Sequence, residues 1–331
     1  MTTIRPFRNV DLPTLLDVWL QHWQSSGQSP PVSVAVLERA ILSRLFFEPQ
    51  DLLVAENDGA IVAWCHHQLP LVPDSDATAI VPAICLADEG GVAACDDLLA
   101  ACEAIMIERG AKRIVVGSVR DLHNGYTGLP PIGHGVGVPV SDARVASLMS
   151  RHGYQVTMSN DRMQVSTPTY RPPVSRDLMQ FRRTTRVDCT LVVPHDHRVA
   201  TAMAHIDIQR FDLVDHLQRT CLATVDLWRS DPESQVMEGS LGILSFDLLS
   251  DVEATETAPM APVPPVAPVQ DGLLTPEAKF LVASIVQTLS NQRVFTVETS
   301  VNETEVGLLG QLRELKFERI DRGHLWSKEV T

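Results

Sequence analysis

Residues 78–119, TAIVPAICLADEGGVAACDDLLAACEAIMIERGAKRIVVGSV, constrain the fold more than any other part of the chain. They read as strand, small-residue turn, amphipathic helix and strand. Gly90 and Gly91 allow the chain to turn where a side chain would clash. Val92, Ala93 and Ala94 then open the helix without bulk. Leu98, Leu99, Cys102 and Ile105 recur at spacings near three and four, which defines one apolar helix face. Gly110 ends the helix, and the apolar run at 114–116 restarts a buried strand. A turn of this kind leaves backbone N–H groups at a helix mouth, where a phosphate is favoured.

The elements around this segment occur twice. In the first half the pattern predicts a strand at 4–7 and a helix capped by Asn9 or Asp11 and running to about Gln24. A second helix is predicted at 34–47, and a hairpin over 52–56 and 60–68 with Asn57, Asp58 and Gly59 at its turn. After the strand near 114–118 a long loop contains His123, Asn124, Tyr126 and His134. Ser141 is the predicted cap of a helix that stops at Gly153, and the proline-containing run 169–174 marks a boundary. The second half repeats the order: a hairpin over 206–214 and 220–228, a strand at 239–249, a helix begun by Thr275 and Pro276, a strand at 293–299, a helix capped by Asn302 and a last strand ending near Trp326. The insert 251–271, DVEATETAPMAPVPPVAPVQD, is rich in Pro, Ala, Glu and Thr and is expected to be mobile. The two closing segments, 141–156 and 302–320, match best. A repeated order of this length points to a duplicated fold.

At 331 residues the chain is long enough for two domains, and 44% hydrophobic content supplies a core for each. A net charge of −14 disfavours nucleic acid or an anionic membrane as the main partner, and 5% aromatic residues disfavour a base-stacking surface. The acidic surface is compatible with a cationic amine, and equally with a role in solubility alone. The six cysteines form no Cys-x-x-Cys pair and no zinc spacing, so free thiols in a reducing cytosol are expected. The N-terminus lacks a signal-peptide pattern, and no apolar run approaches the roughly 20 residues that cross a bilayer. A soluble, cytoplasmic protein is the expectation.

On this element order, the DEGGVA turn and the two cap-to-aromatic closing segments, the chain resembles the GCN5-related N-acetyltransferase family, in tandem. The paired arrangement is similar to that of mycothiol synthase and related bacterial tandem acetyltransferases. The resemblance implies an α+β fold: two domains, each a mixed, mostly antiparallel sheet flanked by helices, over 1–167 and 176–331, joined by a linker at 168–175. It also implies acetyl-CoA as co-substrate, without a metal, and a small-molecule or protein amine as acceptor. The family's pyrophosphate loop corresponds to residues 88–93. There Gly91 and Ala93 fit, while Asp88 replaces the usual Arg or Gln and stands beside Glu89.

Transfer of an acyl group from a thioester to an amine requires a base for the amine, donors for the oxyanion and a proton for the leaving thiolate. The resemblance assigns the oxyanion donors to the backbone at Ile84, Cys85 and Leu86, and coenzyme contacts to Gly90, Gly91, Val92, Ala93, Ala94 and Asn302. In the second half the corresponding strand residues are Phe246, Asp247 and Leu248, and the expected glycine turn is absent. Ser141 and Asn302 read equally as plain helix N-caps. The family's acid, a Tyr after the apolar residue of the penultimate helix, corresponds to Met149 and Leu309, neither of which donates a proton. Tyr126 is the substitute candidate. Glu56 and His67 are the candidate bases, with His66 on the opposite strand face by alternation. In the second half Asp226 and Asp247 are the carboxylates on a strand. Two functions follow: an N-acyltransferase moving an acetyl or another acyl group, or a degenerate module with a binding or structural role.

Overall fold

The computed structural model describes residues 2–28, 30–69, 77–117, 125–129, 131, 135–174, 176–231, 240–249, 252–254 and 265–330. In chain order the first elements are β1 (Thr2–Pro6), α1 (Leu12–Ser25), α2 (Val34–Leu37), β2 (Leu52–Asn57), β3 (Ala60–Gln68), β4 (Thr78–Leu86), α3 (Gly91–Glu108), β5 (Arg113–Val116), β6 (Val138–Pro139), α4 (Ala143–Arg151) and β7 (Gln155–Ser166). They continue as α5 (Arg176–Thr184), β8 (Thr185–Pro194), α6 (His197–Ala202), β9 (Ile206–Asp215), β10 (Cys221–Ser230), β11 (Leu241–Ser245), β12 (Val252–Ala254), β13 (Val269–Gln270), β14 (Leu273–Leu274), α7 (Pro276–Leu289), β15 (Thr296–Asn302), α8 (Val306–Glu314) and β16 (Glu318–Glu329).

The chain forms two compact units, and they do not end where its two similar halves end. The first comprises Met1–Asn160 and Asp321–Thr331, the second Asp161–Ile320. Residues 161–167 therefore lie with the second unit, and the last residues of the chain lie with the first.

In the first unit the strand order is β1-β2-β3-β4-β5-β16. Every neighbouring pair is antiparallel except β4 and β5, which run parallel from Thr78↔Arg113 to Val81↔Val116. The β2–β3 hairpin turns at Asp58 and Gly59, with φ of 49° and 84°, the left-handed pair that a two-residue turn demands. One sheet face packs on α3 and α4, where Leu98, Leu99, Cys102 and Met106 are fully buried with Val81, Leu86, Ile114 and Met149. Each such side chain contributes about 1.5–3 kcal/mol by leaving water. The predicted helix at 34–47 is shorter: α2 gives way at Glu38 to a wider π-type turn that ends at Leu42. Five of the six cysteines are buried and all are free; Cys189 is exposed.

In the second unit the order is β7-β15-β11-β10-β9-β8-β12, with β11 parallel to β15 and the β10–β11, β9–β10, β8–β9 and β8–β12 pairs antiparallel. Its core centres on α7, whose Leu281, Val282, Ile285, Val286 and Leu289 pack on Leu227, Leu244 and Val297. Thr275 caps α7 as predicted, accepting the Ala278 N–H at 3.1 Å. Within the insert the described residues make backbone bonds. Val252–Ala254 pairs with β8, Thr224 N–H donates to Val266 O at 2.9 Å, and β13 pairs with β14. Residues 255–264 lie outside those described, as do His123, Asn124 and His134 of the long loop.

Two predicted caps are displaced. Asp142, not Ser141, caps α4: its carboxylate accepts the Val145 N–H at 3.2 Å. Asn302 closes β15, and its Oδ1 accepts from the Thr304 N–H at 2.9 Å and hydroxyl at 2.8 Å. The helix it was expected to cap starts only at Val306, after Glu305.

Candidate active site

β4 and β5 separate after Val81, and a bulge on β4 accompanies the separation. Between the pairs His66↔Ala83 and Gln68↔Ile80, β4 advances by one residue more than β3. Pro82 lies in that bulge, where a residue without an N–H costs the sheet least. Among the described residues the Gly117 N–H makes the last contact between the diverging strands, at 3.1 Å from Val81 O. Beyond it opens a cleft lined among others by Trp23, Pro82, Ala83, Ile84, Val138, Asp142 and Val145.

Alternation sorts the backbone donors of β4. The Ala87 N–H bonds to Val62 O at 2.8 Å, so the amides of Leu86 and Ile84 point away from β3. Ile84 lines the cleft, and its N–H lies on the strand edge away from β3. Cys85, paired with Trp64, turns its amide to β3. The Leu86 N–H is already bonded, donating to His22 Nδ1 at 3.3 Å. The three predicted oxyanion donors are therefore not equivalent.

At the end of β4 the small-residue turn leads into α3. Gly90 adopts a φ of 72° and stands at the N-cap without a side-chain cap bond. Gly91 is required by space: a Cβ there would meet Val62 O at 2.8 Å. This close approach seats the helix start on the strand end. The Ala94 N–H closes the first turn on Gly90 O at 3.2 Å, which leaves the first-turn amides of residues 91–93 for an outside acceptor. Val92 and Ala93 are exposed at this mouth. Asp88 is turned aside, accepting from the Ser25 hydroxyl and from Arg144 Nη1, the latter at 3.4 Å.

His22, which the sequence reading passed over, organises the inner wall. It lies on the buried stripe of α1 with Leu15, Val18, Trp19 and Trp23. Arg144 Nη2 donates to its carbonyl at 2.7 Å and to Nδ1 at 3.2 Å. With Nδ1 accepting, the ring proton sits on Nε2, which lies 2.9 Å from Asp142 Oδ2 but off the hydrogen-bond axis. The available signal was a histidine at a core position of an apolar helix face.

The three predicted catalytic side chains do not line the cleft. Glu56 accepts from Arg5 Nε at 2.9 Å, beside the Arg5–Asp11 pair. Tyr126 is fully buried, with its hydroxyl 2.9 Å from His66 Nδ1. Burial raises its pKa well above the ordinary tyrosine value, so its proton is harder to lose. His67 faces the Asp51–Arg109 pair, 3.8 Å from Asp51, and neither ring nitrogen has a hydrogen-bond partner. Burial lowers the pKa of His66 to about 3 and that of His67 to about 4, so both are neutral near pH 7. His66 and His67 lie on opposite sheet faces, as alternation predicts. Met149 is buried in the core around α3.

Among the described residues of the second unit, the matching helix start is built differently. Thr275 caps α7 and Pro276 occupies its first position, so that helix start offers fewer donors. Gln311 clamps the approach, accepting the Leu274 N–H at 2.6 Å and donating to Leu274 O at 3.1 Å. β11 ends at Ser245, so Phe246, Asp247 and Leu248 do not continue the strand, and Asp247 is exposed. Asp226 lies at a buried position of β10. It is fully buried and receives Arg210 Nε at 2.8 Å and Nη2 at 2.9 Å. Among the described residues no group of three or more His, Cys, Asp or Glu is placed to hold a metal ion, and no helix is long and apolar enough to cross a membrane.

No family model and no curated protein matches the sequence. Solved structures do match the fold. A tandem GNAT protein from the clavulanic acid biosynthesis pathway aligns with a TM-score of 0.64 at 12% identity, covering 99% of this chain and 98% of that one. A GCN5-related N-acetyltransferase from Sphaerobacter thermophilus aligns with a TM-score of 0.60 at 13% identity, covering 99% and 95%. A GCN5-related glucosamine N-acetyltransferase region of a fungal multi-domain β-N-acetylglucosaminidase aligns at 0.65 and 14%, covering 99% of this chain and 38% of that one.

Proposed function

From the tandem GCN5-related N-acetyltransferase fold that this chain adopts, we propose that it is an acyl-CoA-dependent N-acyltransferase. It moves an acetyl group from acetyl-CoA to a primary amine of a small molecule or protein. The observation that carries this reading is the uncapped, glycine-built mouth of α3 at the exit of β4, beside the cleft where β4 leaves β5. The diphosphate binds the first-turn amides of residues 91–93, helped by the helix dipole. The acyl-bearing arm extends along β4, and the thioester carbonyl takes the Ile84 N–H. That donor stabilises the oxyanion formed when the amine attacks. Coenzyme use belongs to the first unit, because the second has Thr275 and Pro276 at the matching helix start. The acceptor is open within the amine class, although one neighbour of the same fold acts on glucosamine.

A second reading, a degenerate module that keeps the fold for binding or structure, is favoured by one feature: the Leu86 amide is already bonded to His22. Calorimetry with acetyl-CoA separates the two. Binding, with thiol release when an amine is supplied, supports the enzyme. No heat and no thermal shift at millimolar acetyl-CoA supports the module and removes the first reading.

A further inference from the structure

The mouth of α3 carries two carboxylates, Asp88 and Glu89, which repel a diphosphate. A cation reaches this turn from another element. Arg144 stands in the first turn of α4, where a positive charge works against the helix dipole, so its position does not serve α4 itself. Its Nη2 is anchored on the His22 carbonyl at 2.7 Å and on His22 Nδ1 at 3.2 Å. Its Nη1 reaches Asp88 at the longer distance of 3.4 Å. The Arg144 side chain is 23% exposed and that of Asp88 60%, so solvent reaches this pair. Asp88 also has a second donor, the Ser25 hydroxyl, which can keep it when Arg144 turns away.

We propose that Arg144 is the cation that receives the coenzyme's diphosphate, with Asp88 as its internal stand-in. This rests on the coenzyme reading above. On binding, a phosphate oxygen replaces the Asp88 carboxylate as the partner of Nη1, while Nη2 stays on His22. A planar guanidinium suits that exchange, because its edges donate in fixed directions and its charge is permanent. The exchange lets a turn with two carboxylates accept an anion.

The test titrates wild type, Arg144→Gln and Asp88→Asn with coenzyme A, 3′-dephospho-coenzyme A and pantetheine. Arg144→Gln is expected to weaken the two diphosphate ligands about tenfold and to leave pantetheine within about twofold. Asp88→Asn is expected to tighten both diphosphate ligands, by about threefold or more. Unchanged coenzyme A affinity in Arg144→Gln overturns the proposal. So does an equal loss for pantetheine, which would mean that Arg144 merely supports His22. A loss confined to coenzyme A overturns it as well, since it would place Arg144 on the 3′-phosphate. Should Arg144→Gln fold poorly, Asp88→Asn decides: unchanged or weaker coenzyme A binding overturns the assignment. Wild type that binds none of the three ligands removes the coenzyme reading itself, a result distinct from each of these.

Discussion

His22 Nδ1 accepts the backbone N–H of Leu86 at 3.3 Å, so a helix side chain fills the position beside β4 that a neighbouring strand would take. The bond joins α1 to the end of β4 just before the turn into α3. It also places the imidazole against Asp142, the cap of α4. One side chain thus ties three elements around the cleft.

Replacing His22 by Ala removes the acceptor for the Leu86 N–H and leaves the buried Asp142 carboxylate facing a void. A destabilisation of about 1–3 kcal/mol is expected from the unsatisfied groups. Urea denaturation of the variant against wild type measures it, and an unchanged midpoint refutes the tie.

Gly91 has no room for a side chain, since a Cβ would lie 2.8 Å from Val62 O and 3.2 Å from the Leu86 carbonyl carbon. Gly91→Val is expected to cost about 1–3 kcal/mol through overpacking against backbone. It should also abolish the thermal shift produced by acetyl-CoA, because α3 can no longer sit on the strand end. A variant with wild-type stability and wild-type shift contradicts the seating.

Asp226 and Arg210 form a two-pronged pair inside the second unit. Asp226→Asn leaves a buried guanidinium short of its counter-charge and is expected to cost about 3–5 kcal/mol. The double change Arg210→Met with Asp226→Leu is expected to recover most of that loss, because neither charge is then stranded. Thermal melts of the two variants decide it: a double variant as unstable as the single one argues against a paired-charge origin.

The histidines set a pH dependence whose sign follows from their direction of shift. His66 is lowered to about 3 and His67 to about 4 from an ordinary value of 6.5. Between those values and 6.5 the unfolded chain binds protons that the native protein does not. Stability therefore rises with pH across that window, levels off above it, and falls as pH drops below 6.5. The combined variant His66→Phe and His67→Leu should show a flatter slope between pH 4.5 and 6.5 in denaturant titrations. An identical slope would show that the two rings are not the source.

What the sequence determined by itself was everything carried by local chemistry. Alternation in 60–68 put His66 and His67 on opposite faces, and Asp58-Gly59 fixed the hairpin turn. The 3.6-residue period of 91–108 buried Leu98, Leu99 and Cys102, and the glycine pair placed a helix mouth after β4. The repetition of element order pointed to a tandem fold. These features depend on neighbours a few residues away, so the one-dimensional pattern contains them.

The tertiary structure alone decided which polar groups meet. His22, Asp142 and Arg144 stand far apart in sequence, and only the packing of α1, α4 and β4 brings them to one wall. The same holds for Arg210 with Asp226, and for Tyr126 with His66, where a loop residue was drawn into the core instead of the cleft. The exchange of chain ends between the units, 161–167 for 321–331, also lies beyond any local pattern. Contacts of that kind form because buried polar atoms must find partners once the sheets and helices have closed, and the partner is whichever group the packed elements deliver.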